Sequence, residues 1–113
     1  MTRTLDEVMR FLDNYTMAWH HWLIILSLMK LGGSATKKQI FPVFKKEGFS
    51  SHAIEGIFKR DLEELGEAVD VEGDIDNLND NSMVYLTNDN KFRAFLKKNL
   101  KSVVRTLKQR KTE

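Results

Sequence analysis

The chain has 113 residues, a formal net charge of +2 and no cysteine. A chain of this length predicts one domain, which buries about 65% of its unfolded surface and needs no cross-links to hold its core. The lack of cysteine excludes disulfides and thiolate metal sites and favours a cytoplasmic location. The N-terminus lacks the apolar segment of a signal peptide, and the longest apolar run, residues 22–26, is far shorter than the roughly 20 residues of a membrane span. We therefore expect no membrane contact.

Charge is distributed unevenly along the chain. From Lys91 onward there are nine basic residues and one acidic residue, a net charge of +8, whereas the preceding part carries nine basic and fifteen acidic residues, a net charge of −6. This asymmetry predicts a polyanionic partner or an electrostatic contact between subunits. The basic segment has three interpretations: a phosphate-binding stripe, the solvated face of a dimerisation helix, or a helix against which the acidic hairpin described below, of the same chain or of another subunit, lies.

Two helices are predicted before residue 32. Thr4 and Glu7 form a capping-box pattern, and apolar residues at helical spacing predict a first helix over about 5–14. The second helix, over 17–31, is apolar on almost all sides, which places it in the centre of the core or in a surface shared with a partner. Gly32 and Gly33 end this helix, and residues 34–35 are expected to form a short extended piece.

A helix-turn-helix pattern follows. Thr36 and Gln39 form a second capping box for a helix that ends at Gly48, in which Pro42 either kinks the helix or marks its start. Ser50 and Ser51 are both suitable N-caps for a helix over 51–65. The apolar stripe of this helix comprises Ile54, Ile57, Phe58, Leu62 and Leu65, and its opposite face carries His52, Gly56, Lys59, Arg60 and Glu63.

The remaining pattern predicts a β-hairpin and a long helix. Strands over 68–72 and 83–87 flank a polar loop over 73–82 that is rich in Asp and Asn. The last helix runs from 88 to about 108, and its apolar steps at 96, 100, 103 and 107 have the spacing of a coiled-coil seam. The predicted fold class is α+β, mainly α with a small β-hairpin. We expect one domain over 1–113, with an N-terminal helix (1–16), a core (17–87) and a C-terminal dimerisation helix (88–110).

This order of elements resembles the winged helix-turn-helix superfamily over about Trp19 to Leu96, with extra helices at both ends. The segment 85–92, YLTNDNKF, resembles the end of the wing in PadR-like and MarR-like regulators, with one residue fewer between Tyr85 and Thr87. The segment 63–66, EELG, resembles the exit from their recognition helix. The resemblance implies that helix 51–65 enters the DNA major groove, that the hairpin is the wing, and that the C-terminal helix forms a dimer.

The resemblance nominates a set of residues for binding double-stranded DNA: Ser51, His52, Gly56, Lys59 and Arg60 on helix 51–65. Lys37 and Lys38 join them, because the positive end of the preceding helix can meet a phosphate there. Lys45 and Lys46 are weaker candidates, since cations also suit a helix C-terminus. Glycine inside a helix costs about 1 kcal/mol relative to alanine, so at Gly56 either a partner approaches the backbone or the surface position is tolerant.

The predicted wing departs from the family pattern, because its charged residues are Asp70, Glu72, Asp74, Asp76 and Asp80. Carboxylates repel phosphates, so we do not expect this wing to lie on DNA in the usual way. The predicted dimer interface comprises Leu96, Leu100, Val103, Leu107, Trp19 and Trp22, and the two tryptophans are interpreted as core or interface anchors. His20 and His21 are adjacent, so their side chains point about 100° apart on a helix, and we predict no metal site, cofactor or catalytic residue.

The sequence therefore predicts a homodimeric DNA-binding transcription regulator rather than an enzyme. The alternative is a winged-helix interaction module without nucleic acid, with a protein partner at the acidic wing or the basic C-terminal helix. A third possibility is binding of RNA or single strands through that helix. The leading hypothesis requires that neither the acidic hairpin nor a neighbouring chain covers Lys59 and Arg60.

Overall fold

The computed structural model describes the backbone of residues 3–14 and 19–111, and the side chains of these ranges except those of residues 13, 14, 19, 100, 102–104 and 106–111. The described chain is mainly helical with one small antiparallel sheet, which confirms the α+β class. Its helices are α1 (Leu5–Asn14), α2 (Trp19–Lys30), α3 (Lys37–Lys46), α4 (Ser51–Glu64) and α5 (Asp89–Lys111), and its strands are β1 (Ser34–Thr36), β2 (Val69–Val71) and β3 (Met83–Leu86). Short 3-10 turns lie at Gly66–Ala68 and Ile75–Asn77.

Local capping sets the starts of the helices. Glu7 N donates to Thr4 Oγ1 at 3.3 Å, and the Glu7 carboxylate accepts from Thr4 N at 3.2 Å, so the first capping box is formed. The second box forms between Thr36 and Gln39 at the start of α3, and Pro42 therefore lies inside this helix. Of the two predicted caps for α4, Ser50 is the one used, because its Oγ accepts from Ala53 N at 3.1 Å.

The three strands pair in the order β1-β3-β2, with the central strand antiparallel to both neighbours. Ala35 lies opposite Val84 on one side of β3, and Asp70 lies opposite Tyr85 on the other. The predicted hairpin is thus present as β2 and β3, and the short extended piece after α2 adds the third strand. This sheet closes one side of the core.

Helix α2 lies at the centre of the core, since Trp22 is only 1% exposed and Ile24, Ile25 and Leu28 are fully buried. It contacts α3, α5 and the sheet. The sequence predicts that this helix lies either in the core centre or in a surface shared with a partner, and the structure places it in the core centre. The Trp22 ring stacks on Phe95 at 5.8 Å within the same chain, so this residue is a core anchor and presents almost no surface to a second protomer.

Helix α5 is interrupted at Asn99, whose backbone angles (φ −115°, ψ 22°) are not helical. Its side-chain Nδ2 donates to the carbonyl of Phe95 at 3.0 Å, a local bond by which asparagine competes with the helical ladder. The predicted seam therefore does not run along one continuous helix. Among the described residues, no helix is both long enough and apolar enough to cross a bilayer.

Candidate nucleic-acid interface

The outer face of α4 is the surface that the resemblance assigns to DNA. Ile54, Phe58 and Leu62 turn inward and are buried, as the apolar spacing predicts. The five α4 candidates share the opposite, exposed face: Ser51, His52, Gly56, Lys59 and Arg60. A Cβ built on Gly56 would meet none of the described neighbouring atoms within 4 Å, so the backbone here is open to a partner or to a larger side chain.

Lys59 is joined to the acidic hairpin. Its Nζ lies 2.6 Å from Asp76 Oδ1, in the turn Ile75–Asn77. The hydrogen bond and charge of Asp76 raise the pKa of Lys59 above its usual value, with smaller contributions from Glu63 and Asp74. The side chain of Lys59 is nevertheless 52% exposed. The hairpin thus neutralises Lys59 without covering it.

Arg60 is more open than Lys59 on this face. Its side chain is 63% exposed, and its Nε lies 3.7 Å from Glu64 Oε1, one helical turn further along α4. An exposed pair of this kind holds a side chain only weakly. Arg60 is therefore available to a partner, whereas Lys59 must first leave Asp76.

Lys37 is held inside the protein, although the sequence nominates it for DNA. It is 8% exposed, and its Nζ lies 3.0 Å from Glu55 Oε2 and 5.3 Å from the centroid of the Phe41 ring. The first N–H groups of α3 are also occupied, because Lys37 N donates to Ser82 O at 3.1 Å and Lys38 N donates to Asp80 O at 3.0 Å. Carbonyl oxygens of the hairpin therefore already accept from the N–H groups that a phosphate would need at this helix end.

A lysine-lined groove lies on the outer side of α3. It has a volume of about 560 Å³ and is lined by Lys38, Phe41, Pro42, Lys45, Lys46 and Asp80. Lys38 and Lys45 are exposed and Lys46 is at the exposed end of the helix. Lys38 and Lys45 are seven residues apart and so share one face of the helix. Lys45 and Lys46, treated as weaker candidates because they suit a helix end, thus join Lys38 in one cationic groove.

The acidic hairpin packs on α4, since the turn Ile75–Asn77 contacts this helix. Asp76 reaches Lys59, and among the described side chains no ion pair links the hairpin to α5. Of the three interpretations of the basic segment, the one in which the hairpin lies against it therefore gains no support from the described side chains and stays a prediction. The hairpin instead lies at the edge of the candidate DNA-binding face of α4.

Sequence reasoning missed a buried polar cluster behind the interface. Asp61 is fully buried on the inner face of α4, and its Oδ2 lies 2.5 Å from His20 Nδ1. His21 is 1% exposed, and its Nε2 lies 3.4 Å from Asp61 Oδ1. One signal was available, because Asp61 lies seven residues after Ile54 and four before Leu65, which places it on the apolar stripe.

The predicted dimer residues are only partly within the described side chains. Leu96 is half-buried and packs against the core. The side chains of Trp19, Leu100, Val103 and Leu107 lie outside the described ones, so the predicted interface stays a prediction.

Five cations surround α3 and α4 on the outer side: Lys38, Lys45, Lys46, Lys59 and Arg60. The nearby carboxylates of Glu55, Glu63 and Asp76 offset part of this charge. Comparison of the chain with protein-family models, curated proteins and solved structures found no match.

Proposed function

We propose that this protein is a winged helix-turn-helix protein that binds double-stranded DNA and acts as a homodimeric transcription regulator. The order of elements supports this proposal: α2, β1, α3 and α4 precede the β2–β3 hairpin, and β1 pairs with β3 in a three-stranded sheet. In such a fold α4 is the recognition helix and the hairpin is the wing. The helices α1 and α5 are additions at the two ends.

The observation that carries the proposal is the exposed face of α4, on which Arg60 is 63% exposed. The helix has 14 residues and is about 21 Å long, and a helix of this kind fits the roughly 12 Å width of the major groove. Arg60 is suited to the edge of a guanine or to a phosphate, and Ser51 and His52 lie at the N-terminal end of the same face. The open backbone at Gly56 lets the helix lie close to the bases.

The lysine groove on α3 supplies the phosphate contacts in this proposal. Lys38, Lys45 and Lys46 converge on one groove, and contacts to phosphate supply most of the sequence-independent affinity for DNA. Lys37 has no role in this arrangement, because its ammonium is paired with Glu55. The acidic loop would face away from the phosphates or pair with Lys59.

Fluorescence anisotropy with a labelled random duplex, over a series of salt concentrations, tests the proposal. Wild type should bind at low salt, and the triple variant Lys38→Gln, Lys45→Gln, Lys46→Gln should bind more weakly. The slope of log K against log salt should fall by about 0.9 for each lysine that no longer neutralises a phosphate. The double variant Lys59→Ala, Arg60→Ala should also weaken binding and flatten the slope.

The matched control is the triple variant Lys97→Gln, Lys98→Gln, Lys101→Gln, which removes the same charge from exposed positions of α5. It should leave the salt slope close to that of wild type. A larger loss in the control than in the α3 variant would contradict the proposed surface and favour binding through the basic C-terminal helix. A single-stranded competitor that displaces the duplex efficiently would support that third possibility.

The second candidate function is a protein-interaction module without nucleic acid. The two ion pairs Lys59–Asp76 and Lys37–Glu55 favour it, because they pair two of the nominated cations with carboxylates of the same chain. This function predicts that wild type does not bind duplex DNA even at low salt. A DNA-binding protein of this charge should show non-specific affinity under those conditions.

A further inference from the structure

Two histidines of α2 and two carboxylates of α4 meet behind the candidate interface. His20 Nδ1 lies 2.5 Å from Asp61 Oδ2, and His21 Nε2 lies 3.4 Å from Asp61 Oδ1. His21 Nε2 also lies 3.5 Å from Glu64 Oε1. The adjacent histidine rings are 4.5 Å apart and tilted by only 34°, so both turn toward α4 despite their neighbouring positions on α2. The side-chain directions about 100° apart that adjacent helical positions predict therefore do not keep the two rings from facing the same carboxylate.

The cluster contains buried polar atoms without hydrogen-bond partners. Among the described side chains, four buried atoms lack such a partner, and three of them are His21 Nδ1, His21 Nε2 and Asp61 Oδ1. Both residues are at least nine-tenths buried. A buried polar atom without a partner costs free energy, and each such atom needs an explanation. Here His21 Nε2 lies 3.4 Å from Asp61 Oδ1 and 3.5 Å from Glu64 Oε1, at contacts longer than an ordinary hydrogen bond.

We propose that His20, His21 and Asp61, with Glu64 as a fourth ligand, form a binding site for one divalent transition-metal ion of the zinc type. One ligand atom from each of the first three residues lies within 4.8 Å of the others. Bonds of about 2.0–2.2 Å to nitrogen and oxygen in a tetrahedron separate neighbouring ligand atoms by about 3.3 Å. The distances from His21 Nε2 to Asp61 Oδ1 and Glu64 Oε1, 3.4 and 3.5 Å, are close to this value.

The ligands are in a suitable chemical state. Imidazole nitrogen and carboxylate oxygen are both ligands that zinc takes in proteins, and the cluster offers both kinds. The Nδ1 atom of His20 lies within hydrogen-bond distance of Asp61 Oδ2. For Nδ1 of His20 to coordinate the ion, the neutral imidazole would carry its proton on Nε2, so that the Nδ1 lone pair and the Asp61 carboxylate could both face the ion. The partly exposed side chains of His20 and Glu64 provide access from solvent.

The ion would join α2 to the inner face of α4. Four protein ligands close the coordination shell, which is typical of a structural zinc site rather than a catalytic one. The inference stands on the buried cluster alone and does not depend on DNA binding, so failure of either proposal leaves the other in place.

Titration of the purified, chelator-treated chain tests the site, with Zn²⁺ followed by calorimetry and Co²⁺ followed by visible absorption. Wild type should bind one ion per chain, and Co²⁺ should give the intense d–d bands of a tetrahedral complex. His20→Gln and His21→Gln should each weaken binding by at least about 100-fold, since removing a group that only hydrogen-bonds to a metal ligand already costs about 10- to 100-fold. Glu64→Gln, at a partly exposed position, should weaken binding and keep the fold.

The control is His52→Gln, which removes the third histidine of the chain from an exposed position of α4. Its affinity for Zn²⁺ should equal that of wild type. Because variants at buried positions can unfold, the histidine ring resonances of wild type are followed by NMR as Zn²⁺ is added. Shifts of His20 and His21 with His52 unchanged support the site. Absence of binding by wild type, or shifts confined to His52, would overturn it.

Discussion

The Lys59 ammonium lies 2.6 Å from the Asp76 carboxylate, a contact that links the candidate recognition helix to the tip of its own acidic hairpin. Both side chains are more than half exposed, so the pair is weak and is screened by salt. DNA phosphates would have to displace Asp76 to reach Lys59. In the proposed DNA complex, the hairpin would therefore compete with DNA for one of the two cations assigned to the major groove.

Replacing Asp76 by Asn should increase duplex affinity, because it frees Lys59 and removes one carboxylate near the phosphates. We expect a gain of at most about fivefold at low salt, given the small strength of exposed ion pairs. Asp70→Asn is the matched control, since Asp70 is exposed on β2 and makes no ion pair among the described side chains. It should produce a smaller gain in the same anisotropy measurement.

A double-mutant cycle separates the effect of the Lys59–Asp76 pair on duplex affinity from the effect of removing one negative charge. In a Lys59→Gln background, Asp76→Asn should produce no more gain than Asp70→Asn. If Asp76→Asn instead lowers duplex affinity, the hairpin contributes to DNA binding directly and the competitor interpretation is wrong.

Gly56→Ala separates the two explanations of the glycine in α4. The added Cβ meets none of the described neighbouring atoms within 4 Å, and alanine is the better helix former, so the free energy of unfolding should rise by up to about 1 kcal/mol in urea denaturation. If a DNA backbone or base approaches this position, the same variant should bind duplex more weakly. Unchanged binding together with increased stability would make Gly56 a tolerant surface position.

Much of the fold could be predicted because it depends on local rules. The capping boxes at Thr4 and Thr36 each act over three residues, and both form. The strands after α4 follow from alternation over a few residues, and their pairing is confirmed in β2 and β3. The kink of α5 could not be predicted from the apolar seam, since it arises from a side-chain bond of Asn99 that the heptad pattern does not include.

The candidate site was harder to predict because its charges are set by distant partners. Lys37 looks free at the start of a helix, but Glu55, 18 residues away, pairs with it. The spacing of Asp61 places it on the apolar stripe of α4, but its partner there, His20, is 41 residues away in the sequence. Sequence periodicity places a residue on a face of its own helix, and it does not reveal which polar group lies opposite that face.

Dimer formation is testable in solution. We expect wild type to have the mass of a dimer by light scattering at micromolar concentration, and Val103→Glu, Leu107→Glu to be monomeric because charges in an apolar seam oppose association. Lys101→Glu, Arg105→Glu is the control, since both positions are exposed in the same part of α5. A monomeric wild type would show that the predicted seam does not associate.

The lowered pKa of His21 predicts how the free energy of unfolding depends on pH. Burial lowers its pKa from 6.5 to about 4, against the opposing charge of Asp61. Between these values the unfolded chain binds more protons than the folded one, so the free energy of unfolding should fall as the pH falls, by up to about 1.4 kcal/mol per pH unit. Above about pH 6.5 this contribution is constant. The titratable and charged groups that surround the ring are Asp61, Glu64, His20, Arg3 and Arg60.

Urea denaturation at several pH values, with a chelator present, measures this dependence. His21→Gln keeps a polar side chain but cannot titrate, so its stability should fall less steeply between pH 6.5 and about 4 than that of wild type. His52→Gln removes an exposed imidazole and should retain the steep wild-type dependence. If stability depends equally steeply on pH in wild type and in His21→Gln, the buried imidazole takes up its proton as readily in the folded chain as in the unfolded one. That result would conflict with the enclosure of His21 between α2 and α4.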